Sequence, residues 1–251
     1  MSIIIKTKEE IEILREGGKI LASILKEVAS KAKPGVTTKE LDDYAYKLIK
    51  EKGDPAFLGY KSRPKDEPYP ASLCTSINNG VVHCVPSNRT LKDGDIASLD
   101  LGLKYKDLYT DHAITVPVGN ISKANQELLN VTREALMVGI QEARPGNTVG
   151  DIGYAIEKFV NKRYGIVRVL SGHGVGKKVH EDPFIPNFGK KGKGEKLVSG
   201  MVVAIEPMLN IGGDDVVFDN FDVRTKDGSL GAHFEHTILI TENDPEILTM
   251  V

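Results

Sequence analysis

The chain has 251 residues, 40% hydrophobic and 27% charged, with a net charge of −2. That is enough apolar sequence for a sizeable core, and the near-neutral balance gives no electrostatic case for DNA or a membrane surface. No run approaches the roughly 18 apolar residues of a membrane span, and Cys74 and Cys84 make no disulfide framework, so reduced thiols in a cytoplasmic protein are expected.

The opening Met1-Ser2-Ile3-Ile4-Ile5-Lys6 has neither a basic n-region nor a long apolar stretch, so no secretory leader is expected. Thr7 with Glu10 forms a capping-box pattern. Behind it, Ile11, Leu14, Leu21, Ile24, Leu25 and Val28 recur at helical spacing. After Lys33-Pro34-Gly35-Val36-Thr37, Thr37 and Glu40 open a shorter helix carrying Leu41, Ala45, Leu48 and Ile49. Apolar and β-branched runs bounded by Gly, Asn and Asp then predict strands. Val116-Pro117-Val118-Gly119-Asn120 reads as a joint.

Beyond the joint the pattern restarts. Ser122 opens a helix with Leu128, Leu129, Leu136, Val138 and Ile140. Arg144-Pro145-Gly146-Asn147-Thr148 repeats the earlier Pro-Gly turn, and Thr148 with Asp151 is a weaker capping box. Ile152, Ile156, Phe159 and Val160 then match Leu41, Ala45, Leu48 and Ile49 position by position. The Gly/Lys-rich run Gly189-Lys190-Lys191-Gly192-Lys193-Gly194-Glu195-Lys196 predicts an exposed loop.

The two halves, about 7–119 and 120–251, carry acids at matching places. Leu91 to Asp100 aligns with Leu197 to Glu206. Asp111-His112-Ala113-Ile114-Thr115-Val116 aligns with Glu235-His236-Thr237-Ile238-Leu239-Ile240. Carboxylates in apolar strands are expensive unless a positive partner meets them. No Lys or Arg accompanies these acids within their strands, so a metal is the natural partner. The need to enclose them favours one α/β domain, 1–251, with approximate internal two-fold symmetry.

Histidine completes the set. His173 lies in Gly172-His173-Gly174-Val175-Gly176, where the glycines are expected to let backbone and ligand approach closely. Asp100, Asp111, His173, Glu206 and Glu235 offer four carboxylates and one imidazole, a charge that two divalent cations would balance. Oxygen-rich ligation suits Mn, Fe, Co or Zn rather than a structural zinc site. A metal pair ~3.5–4 Å apart can make a water nucleophilic near neutral pH. The residues alone go as far as a dinuclear metal hydrolase.

These motifs resemble the type I methionine aminopeptidases of the pita-bread fold. The resemblance runs from Thr7 to Thr241 and rests on the Asp100/Asp111 spacing, Gly172-His173-Gly174-Val175-Gly176, His180, Ile205-Glu206-Pro207 and Phe234-Glu235-His236-Thr237. It implies an α+β fold, a curved antiparallel sheet flanked by two helix pairs. It implies that Asp100 holds one ion, His173 and Glu206 the other, and that Asp111 and Glu235 bridge them. Glu206 would also shuttle a proton. His180 would contact the scissile carbonyl or its oxyanion, and His83 the scissile nitrogen or the substrate amine. Phe57, Tyr60, Tyr69, Cys74 and Phe221 would form the methionine pocket, where sulfur–aromatic contacts favour a thioether. The segment Lys61 to Pro68 is longer than the family pattern.

The implied function is removal of the initiator methionine from nascent polypeptide N-termini by a cytoplasmic monomer. Two alternatives share the fold, a proline-directed aminopeptidase and a non-catalytic binding module. The short stretch from His173 to Glu206 argues for type I over type II. Lys190, Lys191, Lys193 and Lys196 are candidates for contact with the ribosome near its exit tunnel. His112 follows Asp111 directly and should face away from the metals, because neighbouring strand residues point oppositely. His236 repeats that placement after Glu235, and His233 reads as structural.

Overall fold

The computed structural model describes residues 3–251. Met1 and Ser2, part of the stretch read above as lacking a leader, lie outside the described residues. The described residues form four helices and fifteen strands. The helices are α1 (Lys8–Ser30), α2 (Thr38–Lys50), α3 (Lys123–Gln141) and α4 (Val149–Val160). None is long and apolar enough to cross a membrane.

All four helices start where side chains can satisfy their first amides. Thr7 and Glu10 form a full capping box on α1, as do Thr37 and Glu40 on α2. Ser122 accepts from the Asn125 amide at the start of α3. At α4 the Asp151 carboxylate accepts from both the Thr148 amide and the Thr148 hydroxyl. Such caps contribute about 1 kcal/mol each. Packing does more. Leu21, Leu25 and Val28 of α1 and Leu41, Ala45 and Ile49 of α2 are buried against Leu73, Leu99, Leu101 and Leu103 of the first half. Leu128, Leu136 and Ile140 of α3 and Ile152, Ile156 and Val160 of α4 form the matching core with Val203, Ile205 and Ile238.

A nine-stranded antiparallel sheet carries both helix pairs on one face, that of Leu99, Leu101, Val203 and Ile205, and the acids on the other. Its path takes Asp54–Pro55, Ile96–Tyr105, Leu108–Pro117, Glu235–Leu239, Val202–Ile205, Gly172–Gly174 and Glu181–Ile185 in that order. The halves meet where Leu108–Pro117 pairs with Glu235–Leu239, and there His112 lies opposite His236. These two residues are equivalents in the repeat. An antiparallel pair that sets equivalents opposite each other places the approximate two-fold axis between them. The symmetry is not strict. Leu101 faces His112 in the first half, whereas Ile205, the equivalent of Leu99, faces His236 in the second. A shift of two residues keeps every side chain on its own face, so the acids still point the same way.

Residues 189–196 contain no helix or strand, and Lys190 to Lys196 are exposed.

Candidate metal centre and substrate cavity

The acids arrive on central strands. Asp100 lies mid-strand in Ile96–Tyr105, Asp111 in Leu108–Pro117, and Glu235 begins Glu235–Leu239. Glu206 follows directly on Val202–Ile205. His173 is the middle residue of Gly172–Gly174, which pairs with that strand through Ala204. Its flanking glycines answer to the backbone rather than to a ligand. A Cβ at Gly172 would sit 2.2 Å from the Ala204 carbonyl oxygen, and one at Gly174 would sit 2.3 Å from that of Asp182. Glycine is required here so that three strands can close tightly around the histidine.

These residues line one cavity of about 410 Å³. Asp100, Asp111, His173, Glu206 and Glu235 form its floor. Donor atoms of Asp111, His173 and Glu235 lie within 4.8 Å of one another. His173 Nε2 is 3.5 Å from Glu206 Oε1. No lysine or arginine is among the lining residues.

The electrostatics are those of anions without a counter-charge. Burial pushes Asp100 up to about 6 and Glu206 up to about 7. Asp111 and Glu235 rise well above the usual carboxylate range, first through burial and then through their acidic neighbours. Asp100 Oδ1 and Glu235 Oε1 are buried with no hydrogen-bond partner. Buried polar atoms are normally paired. A cluster of carboxylates and an imidazole with free lone pairs fits a divalent cation, and a cation would remove both the repulsion and the orphaned acceptors.

The cavity wall carries the remaining predicted residues. His83, His180, Tyr60, Phe57, Tyr69, Cys74 and Phe221 all line it. Tyr69 and Phe221 meet edge-to-face at 5.3 Å between ring centroids, and Cys74 is buried beside them. The Tyr60 hydroxyl is 2.5 Å from His180 Nδ1, and the His180 ring packs on that of His173 at 4.3 Å. His83 adopts a φ of 59°, an uncommon conformation for a residue with a Cβ and one that recurs at functional sites. Both imidazoles open onto the cavity but are crowded by protein on their other sides. Burial therefore lowers His83 to about 4 and His180 well below its usual value, so both are neutral at pH 7.

His112 and His236 take the opposite face. Their rings stack at 4.6 Å and 15°. His112 Nδ1 lies 2.5 Å from the Glu235 carbonyl oxygen, and His236 Nδ1 lies 2.9 Å from Thr249 Oγ1. Neither lines the cavity.

Several residues in or beside the site were not singled out from the sequence. His233, read there as structural, has Nε2 3.5 Å from Glu206 Oε2 and 3.9 Å from Glu235 Oε2, and neither ring nitrogen has a hydrogen-bond partner. The available signal was its spacing, two residues from Glu235 and so on the same side of an extended chain. Ser62, Asp66 and Glu67 also line the cavity, from the 61–68 segment ahead of Tyr69. Phe218 and Asn220 line it from a hairpin whose Val217 and Phe218 are exposed.

Comparison with known proteins gives the family and the fold. The metallopeptidase family M24 model matches residues 12–242. Methionine aminopeptidase 1 of Bacillus subtilis is 47% identical over 99% of this chain and 100% of its own length. The crystal structure of methionine aminopeptidase from Rickettsia prowazekii superposes with a TM-score of 0.95, at 38% identity, covering 99% of this chain and 100% of that one. Prolidase from Pyrococcus furiosus shares the pita-bread fold with a TM-score of 0.78 and 28% identity, but this chain covers only 66% of it. The centre is thus a divalent metal site on a pita-bread scaffold, and the chain belongs to metallopeptidase family M24, in its methionine aminopeptidase branch.

Proposed function

We propose that this chain removes the initiator methionine from nascent polypeptides by metal-assisted hydrolysis of the first peptide bond. The observation that carries the proposal is the joining of an acid-rich floor to a small aromatic pocket in one cavity. Asp100, Asp111, His173, Glu206 and Glu235 would hold two divalent ions, with Co, Mn, Fe and Zn all compatible with the donor set. When bound, the ions would acidify a water and polarise the scissile carbonyl.

The chain's own groups do the rest. Phe57, Tyr60, Tyr69, Cys74 and Phe221 offer soft, polarisable walls for a thioether side chain. If the Tyr60 hydroxyl donates to His180 Nδ1, 2.5 Å away, the imidazole proton sits on Nε2. A neutral Nε2–H can then donate to the carbonyl oxygen as negative charge develops there. The Glu206 carboxylate can take the proton of the attacking water and return it to the leaving amine. His83, neutral and facing the cavity, can accept from the substrate amine or the scissile amide. The exposed lysines 190, 191, 193 and 196 offer a salt-sensitive contact with ribosomal RNA. Co-sedimentation with ribosomes, lost when they are neutralised, checks that contact.

The test is an assay of Met-Ala-Ser against an Xaa-Pro peptide, after metal removal and stepwise return of Mn or Co. Release of methionine that appears only with metal supports the reading. Preference for the Xaa-Pro peptide, or unchanged release without metal, contradicts it.

A further inference from the structure

A buried ion pair ties the start of the chain to the turn that carries His180. Lys6 is 4% exposed although it precedes the first helix. Its Nζ donates to Glu181 Oε2 at 2.6 Å and to the Ile4 carbonyl at 3.2 Å, and its backbone amide donates to Gly200 O at 2.9 Å. Glu181 is the residue after His180. Its second oxygen, Oε1, accepts from the backbone amides of Lys177 and Lys178. One carboxylate thus holds both ends of the 177–181 turn, and Lys6 holds the carboxylate. Gly176 opens the path for it. Its φ is +141°, and a Cβ there would lie 2.4 Å from Lys6 Cε. Lys177 Nζ adds an ion pair to Glu10 of α1.

A charge this deep in protein is justified only by a partner at close range, and neither Lys6 nor Glu181 lines the cavity. What it restrains is the backbone on either side of His180. That imidazole must sit within hydrogen-bond reach of the reacting carbonyl, and a displacement of 1 Å can cost 10²-fold.

We infer that Lys6 is a positioning residue for His180: its ammonium, locked on Glu181, fixes the turn that aims the imidazole into the cavity. The inference rests on the role proposed above for His180. In this view the segment ahead of α1 is part of the catalytic architecture, although no atom of it touches substrate.

The test is a double-mutant cycle on the metal-loaded enzyme. Lys6→Met should lower kcat roughly 10- to 100-fold, with KM and metal affinity changed by less than about twofold. In a His180→Ala background the same substitution should have almost no further effect, because the group it positions is gone. Lys6→Met/Glu181→Gln removes both charges while keeping an acceptor for the turn amides. It should recover the wild-type Tm and leave kcat low, and it replaces the single variant in the cycle if Lys6→Met does not fold. Wild-type kcat in Lys6→Met, an equal loss in the His180→Ala background, or recovery of kcat together with Tm would each overturn the inference. A fully active His180→Ala overturns the role of His180 itself, and so is distinct from failure of the lock.

Discussion

The two faces of the central strand pair make opposite use of the same repeat. On one face Asp111 and Glu235 point into the cavity; on the other, the next residues, His112 and His236, stack on each other. Both faces bury polar groups. The histidine face is closed, since each Nδ1 has a partner within the protein. The acid face is open, with a Glu235 oxygen and an Asp100 oxygen left without one. An unpaired buried polar atom is costly to keep. The face that tolerates the deficit is the one prepared for a ligand, and the satisfied face serves as its support.

That contrast can be broken at either face. The largest effect is expected from Asp111→Asn, which should abolish methionine release and lower the bound metal per chain, measured by peptide assay and elemental analysis. An active variant with full metal content would remove Asp111 from the ligand set. His180→Ala should lower kcat by about 10²–10³-fold with metal content unchanged. Loss of metal would instead make His180 a ligand. His233 sits between the faces in character, buried yet unpartnered. His233→Ala should weaken metal binding by roughly 10- to 100-fold, the usual effect of losing a group that orients a ligand, as read by calorimetric titration. Unchanged affinity would return it to a purely structural role.

Protons and metal should compete on the open face. In the metal-free protein the folded-state pKa values of Asp100 and Glu206 lie above their ordinary ones. Their protonated forms therefore stabilise the fold below about pH 4, and that contribution is lost as pH rises through about 6 to 7. A bound cation replaces those protons. The gain in Tm on adding Mn should be largest near about pH 8 and shrink as pH falls through 7 and 6. A gain independent of pH would contradict the proton–metal exchange.

The smallest effect belongs to the closed face. His112→Phe keeps the stacked ring but removes the bond to the Glu235 carbonyl. It should cost about 1–3 kcal/mol of stability in denaturant melts, with kcat changed less than about tenfold. A collapse of kcat without loss of stability would move His112 into the chemistry.

The parts legible in the sequence are those written twice or locally. The paired capping boxes, the helix faces and the four acids repeat between halves, so each copy vouches for the other. His112 was placed on the far face by strand alternation alone. The rest depends on contacts that chain order hides. Lys6 and Glu181 lie 175 residues apart, and nothing near either one signals the other. His233 was passed over although its spacing from Glu235 was visible, because its counterpart in the first half is Tyr109, so the repeat did not vouch for it. Asp66 and Glu67 reach the cavity from an irregular segment that has no counterpart in the repeat. The glycines around His173 were expected to admit both backbone and ligand, and the close neighbours are backbone carbonyls of adjacent strands. Composition marks a close approach but not what approaches.

The convergence of Asp100, Asp111, His173, Glu206 and Glu235 on bound cations can be tested most directly by anomalous diffraction from crystals grown with manganese. The account predicts two peaks inside the cavity, each within coordination distance of these donors. Peaks confined to the surface, or a cavity empty at saturating manganese, would contradict it.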